Sequence, residues 1–175
     1  SLIVYYSEEQ IVIVDNGSTD GTVNLIKNRF PELMVIENES NQGYSGACNI
    51  GASVVDSELI MFLNQDAEFT HLDSEGLDRI FDDPNLGIIA GPVFAEDGEQ
   101  IPIIGKPMTI GLILKNWLGL PLLFLGVKSF RMLSVPNSDI DEMANLPWVS
   151  GHLIIVRRSL FEKIGGWDEG YFVYV

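Results

Sequence analysis

Acidic and amide side chains close an apolar run near the start of the sequence. Asp15 and Asn16 follow residues 11–14 and lead directly into Gly17 and Ser18. A carboxylate there can accept hydrogen bonds from a nucleobase N–H or from ribose hydroxyls, and the glycine allows a sharp turn beside a ligand. The same residues would also build a plain strand-to-helix turn capped by Asp15 and Ser18. Both interpretations remain open at this level.

A second polar group, Asn64-Gln65-Asp66, follows another apolar run. Hard divalent cations such as Mg2+ and Mn2+ take oxygen ligands and complete their shell with waters and phosphates. Asp66, with Glu68 two residues on, is too little for a metal cage by itself. The trio would suffice if a diphosphate supplied the other oxygens. The alternative is a solvated turn.

Three glycines space the segment NQGYSGACNIGA, residues 41–52. Gly43, Gly46 and Gly51 permit close backbone approach, and amides at a helix start can bind a phosphate. The segment is neither a GxGxxG fingerprint nor a P-loop. Glycines that seat a helix against a sheet are the competing explanation.

The segment GGWDEGYF, residues 165–172, places two acids after a diglycine turn. Asp168 and Glu169 could bind sugar hydroxyls or act as a general base, and Trp167 could stack on a sugar. A turn with aromatic packing is the alternative. We expect His152 to be a hydrogen-bonded structural residue, since it and His71 lack the spacing of a metal pair.

Short apolar runs alternate with helical patterns along the chain, which predicts an α/β fold with a doubly wound sheet. Ligands of such sheets lie beyond the carboxyl ends of the strands. The predicted strands are residues 1–6, 11–15, 32–38, 58–66 and 86–94. The predicted helices are residues 22–30, 44–55 and 72–83. Residues 96–146 lose the pattern and predict an excursion or lid, after which regular structure resumes.

The chain of 175 residues is expected to form a single domain, residues 1–175. Residues 7–10 are too short for the crossover of about a dozen residues that joins parallel strands. We therefore expect a crossover helix to be missing near residues 7–10. A hairpin is the alternative.

The composition limits which partners and which cellular location are expected. Acidic residues outnumber basic ones 25 to 10, so an electrostatic grip on nucleic acid is not expected. The single cysteine, Cys48, predicts no disulfide and a packing role. Lys115 and Pro121 interrupt the apolar residues 110–127, which are therefore not predicted to span a membrane. An amphipathic surface element remains an alternative for them, and a cytoplasmic location is expected.

Taken together and in order, these motifs resemble the family 2 glycosyltransferases of the GT-A type, especially bacterial rhamnosyltransferase-like members. The resemblance covers most of the chain and is weakest over residues 96–146. The matching motifs are VDNGSTDGT, NQGYSGACNIGA, LNQD, and the stretch from Ser150 through GGWDE.

The resemblance implies a GT-A, Rossmann-like mixed sheet flanked by helices. It implies transfer of a sugar, with inversion, from a dTDP-, UDP- or GDP-sugar to a hydroxyl of a glycan or lipid-linked acceptor. The setting would be bacterial polysaccharide or cell-surface glycan synthesis, with peripheral contact at the inner membrane face as an open option. The implied nucleotide-binding residues are Asp15, Asn16, Gly17, Ser18, Asn41, Gly43 and Asn49.

The resemblance also implies that Asp66 holds Mg2+ or Mn2+ on the donor diphosphate, with Asn64 and Gln65 nearby and Trp167 near the acceptor. Asn64 departs from the family pattern, because an acid usually stands there. The usual general base lies in an acidic pair beyond Val175, so Asp168 and Glu169 are the nearest candidates in this sequence.

The sequence also bears on two other functions. A sugar-phosphate nucleotidyltransferase would need an early glycine-rich, basic phosphate loop, and the sequence has none. A catalytically inactive nucleotide- or carbohydrate-binding module on the same fold stays open.

Overall fold

The computed structural model describes residues 6, 10–67, 74–95, 97–98, 100–101 and 149–172. The chain forms two compact units, one comprising Ser1–Ile89 with Ile154–Val175 and the other Ala90–Leu153. Several predictions concern residues that lie wholly or largely outside the described ranges. They are the strand 1–6, the break near residues 7–10, Glu68, His71 and residues 110–127.

Strands and helices alternate through the first unit, as the sequence predicts. The strands are β1 (Val12–Asp15), β2 (Met34–Glu37), β3 (Leu59–Leu63), β4 (Ile88–Ala90), β5 (Val93–Phe94), β6 (Gln100–Ile101) and β7 (Leu153–Arg157). The helices are α1 (Thr22–Arg29), α2 (Gly43–Val54), α3 (Ser74–Phe81) and α4 (Arg158–Ile164).

The first sheet is a parallel pair, β1 and β2, joined by α1. Val12 lies opposite Met34 and Asp15 opposite Glu37, so both strands end together. The carboxylate of Asp20 accepts the Thr22 amide at 3.0 Å and so supports the start of α1. The parallel register brings the polar residues that follow β1 and β2 to one edge.

The second sheet has the strand order β3-β7-β4. Gly87 accepts the amide of Arg157, and Leu153 accepts the amide of Gly91, so β4 and β7 run antiparallel. The mixed character of the predicted fold is therefore confirmed, although the described ladders form separate sheets.

The main hydrophobic core lies between the second sheet and helices α2 and α4. It consists of Ala52, Ile60, Phe62, Val156 and Phe161. β3 alternates partly and fully buried residues, as expected for a strand with one face on the core.

The predicted strand 86–94 was wrong as a single element. It divides into β4 and β5 on either side of Gly91 and Pro92. Proline has no N–H to continue a ladder, and a side chain at Gly91 would lie 2.4 Å from Leu153 Cδ2. β5 pairs instead with β6 in a short antiparallel hairpin.

Two adjacent arginines fasten the ends of two helices to the β7–α4 junction. Arg158 donates to the carbonyls of Ala52 at 3.4 Å, Val55 at 2.6 Å and Ser57 at 2.7 Å, at and beyond the end of α2. The last carbonyls of a helix have no hydrogen-bond donor within the helix, and they carry a partial negative charge. A guanidinium supplies both the donors and a positive charge.

Arg157 does the same for α3. Its guanidinium donates to the carbonyls of Phe81, Asp83 and Leu86. The two arginines therefore serve the fold, and neither is available as a phosphate clamp.

Candidate functional site

The turn after β1 is held by the carboxylate of Asp15. Its Oδ2 accepts the amides of Gly17 at 3.1 Å and Ser18 at 2.8 Å. Hydrogen bonds from Ser18 lower the pKa of Asp15 below its ordinary value of 3.8, and the bond from the Ser18 hydroxyl contributes most. Burial acts in the opposite direction but does not cancel this effect. Asp15 is buried, and its carboxylate builds this turn. Neither Asp15 nor Ser18 caps α1, however, because the N-cap of that helix is Gly21.

Asn16 joins three segments at the edge of the first sheet. Its Nδ2 donates to the Gly43 carbonyl at 3.0 Å, and its Oδ1 accepts from Asn38 Nδ2 at 2.9 Å. The Gln42 amide lies 3.4 Å from the same oxygen. Asn16 thus connects the ends of β1 and β2 to the start of α2.

Protein groups already occupy the amides at the start of α2. Asn41 Oδ1 accepts the Gly43 amide at 2.9 Å, and the Phe172 carbonyl accepts the Tyr44 amide at 2.9 Å. These two donors are not free for a phosphate, in contrast to one interpretation of the glycine-spaced segment. Gly43 is required here, because it has φ +75° and an added Cβ would lie 2.6 Å from the Phe172 carbonyl oxygen.

Gly51 allows α2 to pack closely against the first sheet. A Cβ at Gly51 would lie 3.1 Å from Val14 Cγ2, closer than a side chain normally packs. This contact supports the packing explanation of the glycine spacing at that position.

The middle of α2 is bonded to the distant GGWDE loop through one side chain, Asn49. Its Oδ1 accepts the Trp167 amide at 2.8 Å, and its Nδ2 donates to the Trp167 carbonyl at 2.9 Å. Nδ2 also donates to Glu169 Oε1 at 2.9 Å. Asn49 therefore holds both the backbone of the loop and one of its acids.

The two acids of the loop have different surroundings. Asp168 folds back on its own turn, where its Oδ1 accepts the Gly170 amide at 2.8 Å and its carbonyl accepts the Tyr171 amide at 3.2 Å. Glu169 instead bonds to Asn49 on another element. Both carboxylates are exposed.

The Trp167 ring packs into the core. It lies edge-on to Phe62 with centroids 5.5 Å apart and edge-on to Phe161 at 5.4 Å. The structure thus corrects the expectation of an acceptor-stacking ring, and the packing alternative describes Trp167. Its neighbours Tyr171 and Phe172 are the exposed aromatics of the loop.

Asp66 lies in an exposed turn after β3. The Ala67 amide donates to the Asn64 carbonyl at 3.1 Å, which closes the turn and leaves Gln65 and Asp66 exposed. In the described part of the chain, no three His, Cys, Asp or Glu side chains group as a metal site. Phe62, on the same strand, contacts Trp167, so this turn follows a strand that packs against the GGWDE loop.

Two minor residues match their expected roles. Cys48 packs against the core, and burial raises its pKa to about 11. His152 Nδ1 is hydrogen-bonded to the Ser150 hydroxyl.

Within the described ranges, no helix is long and apolar enough to cross a bilayer.

The fold and the polar edge of its sheets define the chain as a GT-A-type domain. The glycosyl transferase family 2 profile matches residues 1–165, and the chain belongs to that family. The resemblance inferred from the four motifs is therefore confirmed.

Several named relatives align with nearly all of the chain. It is 25% identical over 94% of its length to the N-acetylglucosaminyl-diphospho-decaprenol L-rhamnosyltransferase of Mycobacterium tuberculosis, of which it covers 57%. It is 28% identical over 91% of its length to the O-antigen chain rhamnosyltransferase WbaN of Salmonella anatum, covering 46% of that protein. The low-salt glycan biosynthesis hexosyltransferase Agl10 of Haloferax volcanii is 25% identical, with 94% of the chain and 50% of the relative aligned. The chain thus spans about half the length of these relatives.

A solved structure shares the fold. The mannosyltransferase PcManGT from Pyrobaculum calidifontis, in complex with GDP-Man and Mn2+, superposes with a TM-score of 0.53 at 21% identity. The alignment covers 91% of this chain and 38% of the mannosyltransferase. The likeness confirms the GT-A architecture.

Proposed function

We propose that this domain transfers a sugar from a nucleoside-diphosphate donor to an acceptor hydroxyl, with inversion at the anomeric carbon. The donor would be a dTDP-, UDP- or GDP-sugar. The acceptor would be a glycan or lipid-linked saccharide of bacterial polysaccharide or cell-surface glycan synthesis. The names of two rhamnosyltransferase relatives and one hexosyltransferase relative support a deoxyhexose or hexose donor.

The observation that carries the proposal is the assembly of four motifs that are far apart in the sequence. Asn16 bonds the β1 turn to the start of α2, and Asn49 bonds α2 to the GGWDE loop. Packing of Phe62 on Trp167 adds the strand that leads to Asp66. A donor site and an acceptor site must adjoin for group transfer, and these contacts join the proposed donor-side and acceptor-side segments.

The donor set at the end of β3 fits a divalent cation that is shared with a ligand. Asp66 offers an exposed carboxylate, while Asn64 and Gln65 contribute amide oxygens to the same turn. Such hard oxygen donors suit Mg2+ or Mn2+, with phosphate oxygens completing the shell. When bound, the cation would stabilise the negative charge that develops on the departing diphosphate.

The protein's own residues would bind and orient the two substrates. The turn held by Asp15 would present its backbone, with Asn16, to the nucleoside, and the exposed acids of the GGWDE loop would meet acceptor hydroxyls. Deprotonation of the attacking hydroxyl requires a carboxylate within hydrogen-bonding reach. Glu169 and Asp168 are the candidates in this sequence.

Calorimetric titration with UDP, GDP and dTDP, each with and without Mn2+, tests the donor half of the proposal. We expect one nucleotide to bind, and to bind more tightly with Mn2+. A folded sample that binds none of the three nucleotides would contradict the proposal.

A binding module without catalysis is the second candidate. Asn64 in place of an acid favours it, as do the α2 amides already occupied by Asn41 and Phe172. Incubation with the sugar nucleotide of whichever base binds separates the two functions. Release of free nucleoside diphosphate in the presence of acceptor shows transfer, whereas binding without release identifies a module.

A further inference from the structure

The bond between α2 and the GGWDE loop spans 118 residues of sequence and uses the whole Asn49 amide. Its oxygen accepts from the Trp167 amide, and its nitrogen donates to the Trp167 carbonyl and to Glu169. An amide side chain has one acceptor group and two N–H donors. With both donors directed at the loop, Asn49 has none left for a nucleotide in this arrangement.

We infer that Asn49 is a positioning residue of the acceptor-side loop rather than a nucleotide contact. It fixes the backbone at Trp167 and orients the Glu169 carboxylate. The part of the inference that concerns the acceptor rests on the proposed function, whereas the bond to the loop does not.

The inference also separates the two acids of the loop. Asp168 stabilises the turn through the Gly170 amide, and Glu169 is the acid that Asn49 presents toward a ligand. Both acids are therefore held, but Asp168 is bonded within its own turn, whereas Glu169 is oriented by a side chain on α2. Glu169 is expected to contribute more to acceptor binding than Asp168.

The loop side of the bond depends on Gly166. Its φ is +82°, and an added Cβ would lie 2.7 Å from Asn49 Oδ1. The preceding Gly165 has φ +84° with nothing within 4 Å of an added Cβ. The two glycines form a matched pair, because alanine at either meets the same backbone penalty but only Gly166→Ala displaces Asn49.

Hydrogen–deuterium exchange of residues 165–172 measures the bond directly. Asn49→Ala and Gly166→Ala are expected to accelerate exchange of the Trp167 amide about tenfold, as loss of a well-formed hydrogen bond implies. Gly165→Ala and Asn24→Ala, the latter at an exposed site on α1, serve as controls. If Asn49→Ala does not fold, Asn49→Asp keeps the acceptor oxygen for the Trp167 amide and removes both donors.

Binding and turnover separate positioning from a general structural role. The nucleotide Kd from the UDP, GDP and dTDP titrations should change less than about twofold in Asn49→Ala. With octyl N-acetylglucosaminide as probe acceptor, KM should rise about tenfold while kcat changes less, since one oriented hydrogen-bonding group is lost. Glu169→Ala should raise KM at least as much, with an added fall in kcat if Glu169 is also the base that deprotonates the acceptor hydroxyl. The KM of the double variant should be no higher than that of the more affected single variant.

The outcomes are distinct. Weaker nucleotide binding with unchanged loop exchange would overturn the inference and make Asn49 a nucleotide contact. Equal exchange in Gly166→Ala and Gly165→Ala would also overturn it. A wild-type protein that binds no nucleotide and transfers no sugar defeats the proposed function, while the exchange experiment still decides whether Asn49 holds the loop.

Discussion

The ends of β1 and β3 carry similar residues but present them differently. At β1, Asp15 is buried and bonds to Gly17 and Ser18, and Asn16 bonds to neighbouring segments. At β3, Asp66 is exposed in a short turn. Polar residues at a strand end can thus bond to neighbouring protein groups, as at β1, or stay exposed to solvent, as at β3.

The difference predicts which property each residue controls. A buried residue with several protein partners should affect stability when it is replaced, because its partners lose their bonds. An exposed carboxylate with few contacts should affect ligand binding and leave stability nearly unchanged. The experiments below measure turnover and nucleotide binding for Asp66, and the free energy of unfolding for the residues that bond to other protein groups.

The largest effect is expected for Asp66→Ala. Loss of the proposed cation-binding carboxylate should lower turnover of the sugar nucleotide by at least about a hundredfold and abolish the gain in nucleotide affinity from Mn2+. Addition of EDTA to the wild type should have the same effect. Asp56→Ala, an exposed acid beyond α2, is the control, and full Mn2+ dependence in Asp66→Ala would disprove the role.

Arg158→Ala should give the largest loss of stability. Three carbonyls at and beyond the end of α2 would lose their donor, at a cost of about 2 to 3 kcal/mol in the free energy of unfolding. Urea titration measures the loss. Lys163→Ala in the exposed last turn of α4 removes a charge without such bonds and should be near neutral, so equal effects of the two variants would contradict the assignment.

Asp15→Asn should cost about 1 to 2 kcal/mol at neutral pH, because charge-assisted bonds to two amides and a hydroxyl are weakened. The lowered pKa of Asp15 means that its stabilising contribution is complete above 3.8 and is lost as the pH falls through the folded-state pKa. The variant should therefore lose less stability than the wild type as the pH is lowered from about 4.

Urea unfolding across that pH range checks the prediction for Asp15. Asp20 also has a lowered pKa, chiefly from the Thr22 hydroxyl, so the variant keeps part of the acid sensitivity. An identical pH dependence in wild type and variant would contradict the role of Asp15 in the turn.

Lys27→Ala should have the smallest effect. Lys27 pairs with Glu37 between α1 and β2, but both side chains are about half exposed. Exposed ion pairs contribute less than about 1 kcal/mol, so the change in unfolding free energy should be close to zero and should vanish at high salt. A loss as large as that of Arg158→Ala would show that connectivity alone, without burial, governs stability here.

The sequence predicted α2 and β2 well because their signals are local. The helix at residues 44–55 differs from α2 by one residue at each end, and the strand at 32–38 contains β2. The prediction of one strand at residues 86–94 failed for an equally local reason, because Gly91 and Pro92 interrupt the strand. The family was also predictable, because four motifs occur in order.

The sequence by itself determined where polar residues meet the ends of strands, and hence the fold class and the family. Only the tertiary structure decided which of those residues the protein uses for itself. A side chain can make only a limited number of hydrogen bonds. Asn49 bonds to Trp167, 118 residues away, and its donors are therefore not available to a ligand. Sequence periodicity describes the face on which a residue lies and carries no record of such a partner.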